Sequence, residues 1–107
     1  MHEWILYIMG WAANLSGYPY PDTLPQVEFE SESWFSHRVC KDHIPCPVFG
    51  LYEDGDVVYL REDLTDSAKD HVAVHEFVHY LQHRSVARSG LRPYSFQYRA
   101  TQLAGRM

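Results

Sequence analysis

Val72-Ala73-Val74-His75-Glu76-Phe77-Val78-His79-Tyr80-Leu81 is the stretch on which the reading of this chain turns. Residues four apart on a helix lie on one face, about a turn from each other. His75 and His79 would therefore aim two imidazoles at one point, with Glu76 projecting beside them. The flanks support a helix over about 67–84. Asp66-Ser67-Ala68-Lys69-Asp70 offers N-cap and first-turn acids, and Val72, Val74, Phe77, Val78 and Leu81 supply apolar faces. H-E-x-x-H on a helix suits zinc: the histidines bind the ion and the glutamate takes a proton from water there. The five letters also arise by chance. The competing reading is a buried helix whose histidines are satisfied by hydrogen bonds.

Working outward, Trp4, Ile8, Trp11, Ala12 and Leu15 recur at helical spacing, so residues 3–16 are expected to form a helix closed by Gly17. Tyr18-Pro19-Tyr20-Pro21-Asp22 forces an extended, turn-rich link. Gln26-Val27-Glu28-Phe29-Glu30 alternates as a half-buried strand does. Residues 31–47 are expected to be an irregular loop. Val48-Phe49-Gly50-Leu51-Tyr52 and Val57-Val58-Tyr59-Leu60 read as strands joined through Asp54-Gly55, a strong hairpin signal. Val57–Leu60 is expected at a sheet edge near the metal, where an extended peptide would add as a further strand. Ser89-Gly90-Leu91-Arg92-Pro93 ends the motif helix, and a closing helix is expected from Tyr94 or Ser95. The fold class is then α+β: a small sheet of about three strands packed on the motif helix, with an N-terminal and a C-terminal helix.

The 107 residues suffice for a single domain over 1–107 with a modest core, and 46% hydrophobic residues argue against disorder. A net charge of −5 gives nucleic-acid binding no support from the overall field. No apolar run approaches the ~20 residues that span a bilayer. Trp4–Met9 is apolar, but His2-Glu3 precedes it in place of a basic segment, so it reads as mature helix and not as a signal peptide.

Cys40 and Cys46 are the only cysteines. Their short separation suits a disulfide, which would imply an oxidising compartment and favours a periplasmic or secreted location over a cytoplasmic one. Two free buried thiols are the main alternative. A second metal site with His37 and His43 is the other, although structural zinc sites usually pair cysteines at closer spacing.

A catalytic zinc usually takes three protein ligands. His71, His75, His79 and His83 form a series at four-residue spacing, but His75 and His83 stand about 12 Å apart along a straight helix, too far for one ion. His71 fails against His79 in the same way. A metzincin pattern is also absent, with Gln82 and Ser85 at its glycine and third-histidine positions.

H-E-x-x-H followed by a ligand on a second helix resembles the gluzincin peptidases in their minimal single-domain form. More narrowly, Tyr18–Phe29 with its Leu24-Pro25-Gln26-Val27-Glu28-Phe29 strand, Val57–Leu60 and Val74–Gln82 are similar to a little-characterised bacterial family of small metallopeptidases. The likeness covers most of the chain. In that family the closing helix reads E-x-x-A-Y-x-x-Q and its glutamate binds the metal. The matching stretch here is Gln97-Tyr98-Arg99-Ala100-Thr101-Gln102, so Gln97 stands where the glutamate is expected and Thr101 where gluzincins often place an aspartate. No Asp or Glu follows Glu76. The resemblance thus implies a zinc site of His75, His79 and Gln97, with a neutral amide oxygen as third ligand.

The expected activity is hydrolysis of a peptide or protein substrate, with Zn2+ polarising the scissile carbonyl and Glu76 as general base. Tyr94 or Tyr98 are candidates for stabilising the oxyanion, or else core residues. Two other readings remain open. One is a non-catalytic peptide- or protein-binding module on a degenerate peptidase fold, to which the missing carboxylate points. The other is an ImmA-like protease that cuts a transcriptional regulator. The sequence carries no information on cleavage specificity or oligomeric state.

Overall fold

Ile5, Ile8, Met9 and Ala12 recur at the spacing of one helical face, and all are buried in helix α1, His2–Ser16. The buried stripe is rotated from the expected one. Trp4 and Trp11 sit at its margins, and Leu15 is 58% exposed. Gly17 ends the helix in the left-handed region at φ 81°, its amide donating to the Ala13 carbonyl at 2.9 Å. The computed structural model describes residues 1–53, 55–89 and 96–99, with 86–89 and 96–99 described by backbone alone.

The strands are β1 (Gln26–Glu30), β2 (Val48–Tyr52), β3 (Val57–Arg61) and β4 (Phe96–Arg99), in the spatial order β1-β3-β2-β4. β2 and β3 form the expected antiparallel hairpin, while β1 lies parallel to β3, with Val27 opposite Val58 and Phe29 opposite Leu60. The sheet is therefore mixed. Two expectations are corrected here. β3 is not an edge strand: it is hydrogen-bonded on both sides, so no peptide can add to it. Residues 96–99 do not begin a closing helix but pair antiparallel with β2, with Leu51 opposite Gln97 and Gly50 opposite Tyr98. The rest of the expected helix lies outside the described residues.

The stretch expected to be an irregular loop contains helix α2, Glu32–Arg38. The Ser31 side chain caps it, accepting from the Trp34 amide at 3.1 Å, with Glu32 in the first turn and His37 and Arg38 in the last.

Alternation along the strands divides the core in two. Tyr52, Val58 and Leu60 pack toward the motif helix α3 (Asp66–Ser89) and α1, together with Val72, Phe77, Tyr80 and Leu81. Leu51 and Tyr59 point to the opposite face, where Phe35 and Trp34 of α2 cover them. α3 thus lies between α1 and the sheet, in an α+β fold. Each fully buried Val, Leu, Ile or Phe contributes about 1.5–3 kcal/mol, so α3, with several, is the best-anchored helix.

Cys40 and Cys46 are joined as a disulfide, their Cα atoms 5.9 Å apart, which leaves neither a free thiol nor a metal-binding thiolate. The bridged loop is tied to the sheet through Arg61, which is only 4% exposed. Its Nη1 donates to the carbonyls of Cys46 at 2.8 Å and Val48 at 3.2 Å. Its Nε and Nη2 grip the Asp63 carboxylate at 2.9 and 2.8 Å, and this contact lowers the Asp63 pKa. Glu32 accepts from the Cys46 amide at 2.8 Å. Among the described residues no helix is long and apolar enough to cross a membrane.

Candidate metal centre

Thr65 starts α3. Its hydroxyl accepts from the Ala68 amide at 3.2 Å and its carbonyl from Lys69 at 2.8 Å, so the cap lies one residue before the expected Asp66. α1 is pinned alongside by Trp4, whose indole N–H donates to Asp70 at 2.8 Å. Val72, Ala73, Phe77 and Tyr80 are fully buried, and this fixes the rotation of α3 and with it the direction of its histidines.

His75 and His79 converge as their spacing requires, with their Nε2 atoms 3.1 Å apart. Two nitrogens bound to one tetrahedral zinc at about 2.05 Å stand roughly 3.3 Å apart, so the pair fits the ion with little movement. Gln82, a turn further on, meets His79 Nδ1 at 3.1 Å through Oε1. An amide oxygen can only accept, so His79 carries its proton on Nδ1 and presents the Nε2 lone pair. Without metal, His75 donates its Nε2 proton to that lone pair; an ion would replace this hydrogen bond. Burial, reinforced by the charge of His79, pushes the His75 pKa down to about 4. Burial also lowers that of His79, against the opposing hydrogen bond to Gln82. Both rings are therefore neutral near pH 7, the form a metal takes.

Glu76 is fully buried, and among the described residues only the Tyr52 backbone amide approaches its carboxylate, without the geometry of a full hydrogen bond. Burial raises its pKa well above the usual carboxylate value, and the backbone amide of Tyr52 only partly offsets this. Gly50 of β2 makes room for it: a Cβ there would stand 3.1 Å from Glu76 Oε2 and 2.6 Å from Val72 Cγ1. A carboxyl group in such a niche is a poor structural choice and a suitable proton acceptor, because a raised pKa brings it nearer the working pH.

Other expected participants are placed differently. His71 lies against Trp11 with ring centres 6.0 Å apart, and His83 against Tyr52 at 5.8 Å, so neither joins the pair. His37 faces Asp42 at 3.2 Å on the surface. Among the described residues no group of three or more His, Cys, Asp or Glu assembles around one point. Gln97 sits on a strand, not on the second helix that the resemblance implied, although β4 does touch α3. The side chains of Gln97 and Tyr98, and all of Tyr94, lie outside the described residues.

Two contributors escaped the sequence reading although each had a signal. A lone glycine inside a strand marks a close backbone approach, which is the role of Gly50. Gln82 follows His79 by three residues, a spacing that puts both on one helical face. Compared with family models, with curated proteins and with solved structures, the chain has no match.

Proposed function

We propose that the chain is a zinc-dependent peptidase. The observation that carries this reading is the converging His75–His79 pair beside a fully buried carboxyl group for which Gly50 leaves room. The donor set fits zinc: two neutral imidazoles at the right separation, one held in its tautomer by Gln82. Zinc supplies Lewis acidity, making water nucleophilic near neutral pH and polarising a peptide carbonyl. His75 and His79 hold and orient the ion. Glu76 takes the proton from the attacking water and hands it to the departing amine nitrogen. The third ligand on this reading is Gln97, as the likeness to minimal gluzincins suggests, with weaker affinity than a carboxylate would give. The Cys40–Cys46 disulfide supports an exported protein over an intracellular regulator-cleaving protease.

One observation favours a second reading, a non-catalytic peptide-binding module: no Asp or Glu follows Glu76 in the sequence to supply a third, charged ligand. Incubating zinc-loaded protein with a broad peptide pool and identifying products by mass spectrometry separates the two. The peptidase reading requires cleavage that Glu76→Gln abolishes while zinc content is kept. Zinc bound with no peptide cut by either protein supports the module. Absence of zinc from the parent protein refutes the metal site itself.

A further inference from the structure

Ile5, Ile8, Met9 and Ala12 turn to the core, so Glu3, Tyr7, Gly10 and Asn14, at spacings of three and four, form the opposite, exposed face of α1. From Trp4 to Pro21 the chain has no Asp, Glu, Lys, Arg or His, so Glu3 is the only charge on that face. Tyr7 is 63% and Leu6 40% exposed. Beside them an open recess of about 510 Å³ is lined by Leu6, Tyr7, Gly10, Trp11 and Asn14. Gly10 is its floor. Glycine weakens a helix interior, and among the described residues no atom lies within 4 Å of the place its Cβ would take, so packing inside the chain does not require it.

We propose that this face binds the same face of a second copy of the chain, α1 against α1 and antiparallel, with Tyr7 of each copy seated in the recess over Gly10 of the other. A two-fold interface needs each copy to offer both a knob and a hole, and Tyr7 and Gly10 supply them a turn apart on one helix. Seating Tyr7 over Gly10 sets Leu6 opposite Trp11 and Glu3 opposite Asn14, each pair occurring twice. The Asn14 amide then donates to the Glu3 carboxylate across the interface. Among the described residues no hydrogen bond or ion pair engages the side chains of Glu3, Tyr7 or Asn14 within one chain. No like charges meet, and the two helix dipoles oppose each other. By the usual size of such side chains the face offers roughly 500 Å² per copy, and two copies together reach the about 1,000 Å² at the low end of specific interfaces. The dimer is therefore expected to be a micromolar one, and it does not depend on zinc.

Sedimentation velocity of the chain in chelator, between about 1 and about 200 µM, tests it. The parent should pass from monomer to dimer over that range. Tyr7→Lys should weaken pairing at least about tenfold, by removing the buried knob. Gly10→Ala should weaken it as well, although below the dissociation constant that change only stiffens α1. Asn14→Asp should weaken it by facing Glu3 with a second carboxylate, and Glu3→Lys added to Asn14→Asp should restore it, an exchange that a merely structural loss would not show. Failure of that rescue overturns the antiparallel register. A dimer that Tyr7→Lys leaves unchanged overturns the surface. A chain that stays monomeric throughout overturns the proposal, and its sedimentation with phosphatidylcholine vesicles would assign the face to lipid instead.

Discussion

Gly50→Ala should destabilise the protein, because β2 and α3 approach most closely at that residue. The added methyl would stand 2.6 Å from Val72 Cγ1, 3.0 Å from Glu76 Cγ and 3.1 Å from Glu76 Oε2. The first distance is impossible without movement, and Val72 is a fully buried β-branched residue with one strongly preferred rotamer in a helix. α3 must therefore lift from β2 by several tenths of an ångström. Overpacking of this kind costs about 1–3 kcal/mol. The reduced freedom of the unfolded chain returns about 0.4–1 kcal/mol, since Gly50 does not use positive φ. The net loss is about 1–2 kcal/mol, or roughly 4–8 °C in Tm for a chain of this size. Thermal and urea unfolding in chelator would measure it. Gly10→Ala is the control: nothing lies within 4 Å of a Cβ there, and the residue is exposed inside α1, so that change should stabilise by about 0.5–1 kcal/mol. A Gly50→Ala protein that melts at or above the parent would refute the close approach and the niche built for Glu76.

In metal-free protein Glu76 and His75 should act on stability in opposite directions. The raised Glu76 pKa gives a contribution that is complete below 4.5 and lost as pH rises through the folded value. The lowered His75 pKa gives one that is complete above 6.5 and lost as pH falls toward about 4. The advantage of Glu76→Gln over the parent in chelator should therefore grow as pH rises above 4.5; a difference that stays constant from there to neutral pH would show that Glu76 is not buried as described. Arg61→Met should cost about 2–4 kcal/mol in urea titrations, by leaving two carbonyls and the Asp63 carboxylate without their donor. Cys40→Ser with Cys46→Ser should cost about 2 kcal/mol, the entropy of a short closed loop, and a thiol assay on denatured parent protein should find no free sulfhydryl.

The motif helix was legible because local signals agree there: apolar period, acidic first turn and histidine spacing all favour one helix, and packing reinforces it. The hairpin was legible for the same reason. α2 was missed although Ser31 and Glu32 form a capping signal, because the mixed composition of 31–47 and its cysteines suggested an irregular segment. At 96–99 the alternation Phe96-Gln97-Tyr98-Arg99 has the period of a strand; the family likeness pointed to a helix, and pairing with β2 decides for the strand. The interior place of β3 was not readable at all, since strand order depends on pairing between distant segments and leaves no local pattern. For the site, spacing sufficed to bring His75 and His79 together, whereas the niche over Gly50 depends on how α3 meets β2.

The claim at the centre of this account is that His75 and His79 hold one zinc ion. Zinc affinity measured by competition with a chromophoric chelator, on the parent and on His79→Ala, tests it most directly. The account predicts one zinc per chain in the parent and a loss of at least a hundredfold in affinity when the His79 nitrogen is removed, with Glu76→Gln retaining the metal. Stoichiometric zinc of unchanged affinity in His79→Ala would contradict it.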